Sequence, residues 1–308
     1  PSGGADAGPV PSGPVPLPSP AHLFVASGSC GGMPFRRPAR SRRLAWALLV
    51  GDDRGMRWLA VGEAAIPEGT AWLSAQEAAR AATMRFTKRR TEYRLRRLAG
   101  KRAVASVLGR PVNPTSLAGI EVLNRRGGAP YVVVDGEHAQ VDVSLTDRAG
   151  WAVCLVGPEG ELTGGTLGVD LEAVEPRSRG FVTDYLTAYE QEYVRSQGEL
   201  GSEGWDVAAN LLWSAKESAL KVLRVGLRAD TRSVEVTLGD YVRPDGWSPL
   251  VVHAGTSERF PGWWRRDGVF LLTLASREVT DPPALLAGGD DLATGEPTHS
   301  WMANPLAD

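Results

Sequence analysis

The chain has 308 residues, with 43% hydrophobic and 23% charged positions and a formal net charge of −2. This length suffices for one large folded domain or two of ordinary size. The nearly balanced charge gives no support for nucleic acid as a partner, and two cysteines are too few for a disulfide framework. No run approaches the roughly 18 apolar residues of a membrane span, so we expect a cytoplasmic protein without membrane contact.

The two ends of the chain differ in composition from its middle. Residues 1–43 are rich in Pro, Gly and Ser and predict a disordered leader, and residues 281–308 predict a disordered tail. The region between them divides into an N-terminal half, 44–165, and a C-terminal half, 166–280. Both halves mix strand and helix patterns, which predicts the α/β (α+β) class.

The predicted elements of the first half are strands and two helices. A capping box at Ser74 and Glu77 starts a helix toward Arg85. Strands are predicted at 44–50, 58–61, 120–123, 131–134, 141–144 and 151–156, and a long helix at 89–108.

The second half shows the same kinds of signal. Its first strand is predicted at 166–172, and a capping box at Thr187 and Glu190 starts a helix. A longer helix is predicted at 207–225, ended by Gly226. The closing strands are predicted at 234–238, 250–253 and 269–275.

Two acidic residues share one face of the strand at 166–172. Side chains alternate along a strand, so Asp170 and Glu172 project to the same side. Adjacent carboxylates repel one another and favour a cation between them, either a hard divalent ion such as Mg²⁺ or an arginine. A solvated strand end is the alternative interpretation.

The long helix of the second half carries a related set. Trp213, Glu217 and Lys221 follow a four-residue spacing and share one face, with Lys216 beside it. Alone, Glu217 and Lys221 would be a surface ion pair. Only four of the 34 cationic residues are lysines, and two of these four lie here. Together with Asp170 and Glu172, the helix supplies a metal and diphosphate site in which carboxylates hold Mg²⁺ and lysine neutralises the leaving group.

The segment 168–172, followed by Trp213 to Glu217 and Lys221, resembles the signature of surfactin-type 4'-phosphopantetheinyl transferases. The basic segments 86–90 and 96–101 resemble the part with which that family binds coenzyme A. The resemblance covers about 44–275. It implies a pseudo-twofold pair of similar subdomains, each a small, mostly antiparallel sheet packed with a long helix, with the active-site cleft between them.

The resemblance also implies roles for individual residues. Asp170, Glu172 and Glu217 would bind Mg²⁺, Glu217 or a metal-bound water would deprotonate the carrier serine, and Lys221 and Lys216 would assist the departure of 3',5'-ADP. The residues that would contact coenzyme A are Lys88, Arg89, Arg97, Lys101, Arg126, Pro130, Thr146 and Arg148. The partners implied are coenzyme A and apo acyl or peptidyl carrier proteins, and the protein is expected to be a monomer.

Two positions depart from the family pattern. Ala129 stands where the family has a basic residue, and Arg125 or Arg126 is a candidate to replace it. Asp147 stands where the family has a phosphate-contacting histidine, and a carboxylate there must turn away or pair with a cation. Two other functions remain open: another Mg²⁺-dependent diphosphate transferase, and a binding module for coenzyme A or carrier proteins without transferase activity.

Overall fold

The computed structural model describes residues 55–159, 167–224 and 230–299. The predicted leader at 1–43, the strand at 44–50, Thr166, the helix end at Gly226 and the tail residues 300–308 lie outside the described residues. The helices are α1 Ala75–Ala82, α2 Thr87–Val107, α3 Pro114–Ala118, α4 Arg179–Tyr185, α5 Ala188–Gln197 and α6 Glu203–Leu223. No helix in the described ranges is long and apolar enough to cross a membrane.

The first half packs the long helix α2 against small sheets. Its strands are β1 Arg57–Gly62, β2 Ile120–Asn124, β3 Pro130–Val134, β4 Glu137–His138, β5 Val141–Arg148 and β6 Trp151–Pro158. Strands β1, β6 and β5 are neighbours in one sheet, and β2, β3 and β4 form another. The core of this half joins Leu59 and Val61 of β1 to Leu95, Leu98 and other apolar residues of α2.

The second half repeats this plan. Its strands are β7 Leu167–Ala173, β8 Val234–Leu238, β9 Ser248–Ala254, β10 Glu258–Asp267 and β11 Phe270–Ser276, in the order β7-β11-β10-β9-β8, with every ladder antiparallel. Helix α6 packs on this sheet. The mixed α/β class, with a small antiparallel sheet and a long helix in each half, is confirmed.

Each half contains the same buried ion pair. Ser74 and Thr187 cap α1 and α5, as their capping boxes predicted. The partner glutamate of each box also reaches the neighbouring long helix: Glu77 lies 2.6 Å from the ammonium of Lys101, and Glu190 lies 2.7 Å from that of Lys216, with all four side chains fully buried. This correspondence relates α1 and α2 to α5 and α6 and supports the pseudo-twofold arrangement.

The two halves meet along strands β5 and β7. Serine and threonine hydroxyls join these strands, because the amide of Val169 donates to Ser144 Oγ (3.0 Å) and the amide of Leu171 donates to Thr146 Oγ1 (3.3 Å). Side chains of β5 therefore satisfy backbone donors at the edge of β7. The face of β7 that carries Asp170 and Glu172 is thereby held beside the first half.

Residues 281–299 correct the prediction of a disordered tail. Strand β12, Ala284–Leu285, pairs in parallel with β1, and the amides of Leu286 and Asp290 donate to carbonyls of Trp58 and Ala60. Leu286 and Leu292 are buried. Two anchoring leucines and backbone pairing to an open strand edge outweigh a composition rich in Pro, Gly and Asp.

Candidate active site

A pocket of about 500 Å³ lies between the two halves. Its lining comes from α2, the β2–β3 turn and β5 of the first half, and from β7 and α6 of the second. The ionisable residues among those that line it are Arg96, Arg97, Asp142, Asp147, Arg148, Asp170, Glu172, Glu217, Lys221 and Arg224. Cations and carboxylates are therefore interleaved around one cavity.

Asp170 is held by side chains from both halves. It is buried on β7 and accepts hydrogen bonds from Ser214 Oγ (2.9 Å) and Thr146 Oγ1 (3.1 Å). The ammonium of Lys221 lies 2.8 Å from its Oδ1 and also donates to the carbonyl of Val169. One side chain of the first half and two of α6 in the second half therefore fix this carboxylate.

A glycine allows α6 to approach β7 so closely. A Cβ at Gly168 would lie 1.9 Å from the carbonyl oxygen of Ser218, which is inside van der Waals contact. Any side chain at this position would push the strand from the helix. Gly168 thus permits Asp170, two residues further on the same face, to reach Ser214 and Lys221.

Glu172 lies two residues further along the same face of β7. Its Oε1 accepts a hydrogen bond from the indole of Trp213 (3.1 Å), and its Oε2 lies 3.1 Å from Arg148 and 3.2 Å from Arg177. Burial, with a contribution from the charge of Asp170, raises the pKa of Glu172 to about 7, although both arginines oppose the shift.

Glu217 is the third carboxylate and lies one helical turn before Lys221. Burial and the charge of Asp170 raise the pKa of Glu217 to about 7, against the opposing effect of Lys221. Within the described ranges, no ion pair holds its carboxylate. Glu217 therefore has a proton affinity close to neutrality and oxygen atoms available to a ligand.

The three carboxylates supply the donors that a hard divalent cation prefers. Burial, together with their mutual repulsion, raises the pKa values of Glu172 and Glu217, so a cation would stabilise the ionised forms. Within the described ranges, no group of three Asp, Glu, His or Cys side chains is arranged so that it could hold a metal ion. Lys221 and the two arginines occupy part of the space and charge that such an ion would take, so Mg²⁺ binding here stays a prediction.

Two lysines predicted for the site lie elsewhere. Lys216 is fully buried, pairs with Glu190 and donates to the carbonyls of Thr231 and Val234. Lys101 is likewise buried, pairs with Glu77 and donates to the carbonyls of Leu117 and Ile120. Neither lines the pocket. The prediction that Lys216 assists the leaving group and Lys101 binds coenzyme A is therefore wrong for this structure. Each lysine lies on the face of its helix that points into the core, where a buried glutamate pairs with it.

The other residues predicted to bind coenzyme A divide into two groups. Pro130, Thr146, Arg148 and Arg97 line the pocket. Lys88, Arg89 and Arg126 are exposed and lie outside the lining. Arg97 is buried and donates to the carbonyl of Val122 and to Asn124 Oδ1, so its charge is already engaged.

Three residues that contact the site were not among the predicted site residues. Arg96 forms an ion pair with Asp147, and this cation explains why a carboxylate is tolerated at position 147. Arg177 contacts Glu172 from outside any motif. Ser214 could have been found, because it lies seven residues before Lys221 and hence on the same helix face.

The fold and the pocket define an α/β protein with a carboxylate and lysine site between two related halves. Residues 166–246 match the family model of the 4'-phosphopantetheinyl transferase superfamily. This segment, which carries all three carboxylates and Lys221, is similar to that superfamily. The resemblance seen in the sequence is confirmed at that level.

Individual relatives match shorter parts of the chain. A holo-[acyl-carrier-protein] synthase of Enterococcus faecalis (strain ATCC 700802 / V583) is 35% identical over 75 residues, 24% of this chain and 64% of that protein. The chain thus spans less than two thirds of this curated relative. Among solved structures, a holo-(acyl-carrier-protein) synthase from Bacillus anthracis str. Ames in complex with CoA (3',5'-ADP) aligns over 35% of this chain and 97% of its own, at 22% identity and a TM-score of 0.30. A holo-[acyl-carrier-protein] synthase from Thermotoga maritima aligns over 44% and 75%, at 25% identity and a TM-score of 0.28.

Proposed function

We propose that the chain transfers the 4'-phosphopantetheine arm of coenzyme A to a serine of an apo acyl, peptidyl or aryl carrier protein and releases 3',5'-ADP. The observation that supports this most is the meeting of Asp170, Glu172, Glu217 and Lys221 in one pocket, within the segment that matches the family model of the superfamily. We further propose the surfactin-type arrangement, with both halves in one cytoplasmic, monomeric chain and carriers of polyketide or nonribosomal peptide synthesis as partners.

Glu217 is the proposed general base. In the metal-free site the pKa of Glu217 is raised to about 7, a proton affinity suited to general-base catalysis near neutral pH. In the proposed step, Glu217 accepts the proton of the carrier serine while the serine oxygen bonds to the β-phosphorus. The bond from that phosphorus to the oxygen of the leaving 3',5'-ADP breaks, and the ammonium of Lys221 neutralises the charge that develops on the leaving oxygen.

Asp170, Glu172 and Glu217 would hold Mg²⁺. When bound, this ion supplies positive charge that neutralises the diphosphate oxygens. The remaining residues orient the site: Ser214 and Thr146 fix Asp170, and Trp213 fixes Glu172.

The test is to weigh apo acyl and peptidyl carrier proteins by mass spectrometry after incubation with the protein, coenzyme A and Mg²⁺. We expect the carrier to gain the mass of one phosphopantetheine arm. Glu217→Gln should slow the gain by about 10²- to 10⁴-fold without loss of folding, whereas the same change at Glu192, an exposed position on α5, should leave the rate intact. A wild-type protein that binds coenzyme A but never modifies a carrier would favour a binding module instead, and transfer from another diphosphate substrate would favour a different transferase.

A further inference from the structure

The end of helix α6 has an unusual backbone. Arg224 adopts φ 57° and ψ 23°, the left-handed conformation that favours glycine. Among the described residues only three other non-glycine positions have positive φ, namely Asp135, Ala149 and His299. An arginine at such a position is strained relative to glycine, and its backbone role at the helix end, an amide that donates to the carbonyls of Leu220 and Lys221, needs no side chain.

The side chain of Arg224 lines the pocket three residues beyond Lys221. Four other cations line this pocket, and each is engaged by protein groups. Arg96 pairs with Asp147, Arg97 donates to Val122 and Asn124, Arg148 pairs with Glu172 and Glu175, and Lys221 pairs with Asp170.

Arg224 differs from those four. Within the described ranges, its guanidinium makes no hydrogen bond or ion pair, although the residue is half buried. A half-buried charge without a partner in a concave site is a candidate ligand contact, since a bound anion would supply the missing interaction.

We propose that Arg224 binds phosphate oxygens of the diphosphate-bearing ligand, and that the strained conformation is kept because it aims this side chain into the pocket. The planar guanidinium donates two parallel hydrogen bonds to a phosphate, which a lysine cannot reproduce. The choice of coenzyme A as ligand rests on the proposed function, whereas the recognition of a diphosphate does not.

The test is Arg224→Gly, measured with coenzyme A and with inorganic pyrophosphate by calorimetry in the presence of Mg²⁺. Glycine relieves the backbone strain, so the melting temperature should stay equal or rise. Both dissociation constants should increase about 10- to 100-fold, the effect of a lost charged hydrogen bond. Arg224→Lys should fall between wild type and Arg224→Gly.

Ala149→Gly is the matched control, because Ala149 has a φ of 49° and loses only a methyl group. It should change neither dissociation constant. The proposal is overturned if Arg224→Gly binds both probes like wild type, if the wild-type protein binds neither, or if only the KM for the carrier protein rises. If wild type binds both probes, Arg224→Gly weakens both and no carrier is modified, the proposed function fails while the role of Arg224 stands.

Discussion

The two halves share a scaffold but differ where chemistry is possible. In each half a capping-box glutamate accepts from a strand amide, Glu77 from Val122 at 2.9 Å and Glu190 from Val236 at 2.8 Å, and pairs with a buried lysine of the long helix. With Lys101 aligned to Lys216, the next residue is Arg102 in the first half and Glu217 in the second. Four positions further along the two helices, Ser106 of the first half corresponds to Lys221 of the second.

The strands differ in the same way. Leu59 and Val61 of β1 are packed in the apolar core of the first half, whereas the corresponding face of β7 carries Gly168, Asp170 and Glu172. Burial separates two uses of lysine in this molecule. Lys101 and Lys216 tie elements together, and Lys221, on the exposed side of the same scaffold, meets the pocket.

The C-terminal segment adds a further difference. Residues 284–290 run along β1, where Asp290 Oδ2 accepts from the amide of Gly62 (2.9 Å) and Asp290 Oδ1 lies 3.9 Å from Arg102. The edge of β1 in the first half is therefore covered by this segment, whereas the edge of β7 in the second half meets Ser144 and Thr146 of β5, which line the pocket. Three predictions test this comparison.

The largest effect is expected from the buried lysines. Lys216→Met and Lys101→Met should each lower the free energy of unfolding by about 3–5 kcal/mol, because Glu190 or Glu77 is left buried without its partner. Urea denaturation measures this, and Lys88→Met, at an exposed position, should cost less than about 0.5 kcal/mol. If Lys216→Met keeps wild-type stability but loses activity, Lys216 is catalytic and the comparison fails.

The next effect concerns pH and magnesium. Because the pKa values of Glu172 and Glu217 rise from 4.5 to about 7 on folding, the folded state binds more protons than the unfolded state in this range. The free energy of unfolding of the metal-free protein should thus fall as pH rises from 4.5 to about 7. Mg²⁺ at 100 times its Kd should restore about 2.7 kcal/mol at pH 8 and much less at pH 5.5.

Thermal melts with and without Mg²⁺ at both pH values measure this. Glu217→Gln removes one titrating group and should flatten the pH dependence. A magnesium shift of the melting temperature that is equal at pH 5.5 and pH 8 would show that these carboxylates do not bind the ion.

The smallest effect is expected at the segment that covers β1. Asp290→Ala should lower the free energy of unfolding by about 1–2 kcal/mol, because the amide of Gly62 loses a charged acceptor. Asp281→Ala, at an exposed position of the same segment, is the control and should be neutral. Transfer activity should be unchanged in both, and loss of activity in Asp290→Ala would show that the first half takes part in the chemistry.

Local signals in the sequence predicted a large part of the fold. Both capping boxes are present, because Ser or Thr with Glu three residues later satisfies helix donors without help from the rest of the chain. Asp170, Glu172, Glu217 and Lys221 share one pocket, because strand and helix periodicity fixes which side chains share a face.

Other features depend on contacts distant in sequence. The burial of Lys101 and Lys216 depends on glutamates from separate helices, so the motif around Lys216 gave no sign of it. Strand β10 was not predicted, because Pro261 and Gly262 interrupt the pattern of a strand. Gly262 is nevertheless required within this strand, because a Cβ there would lie 2.0 Å from the carbonyl oxygen of Leu274 in the adjacent strand. The order of residues 281–299 depends on the open edge of β1.

The most direct test compares Glu217→Gln with Arg102→Gln, the change at the corresponding position of the first half. Single-turnover transfer from coenzyme A to an apo carrier protein is measured for both, after thermal melts confirm folding. We expect Glu217→Gln to be slower by about 10²- to 10⁴-fold, the contribution of a general base, and Arg102→Gln to match wild type. Wild-type rates for Glu217→Gln, or equal losses in both variants, would contradict the assignment of the chemistry to the second half.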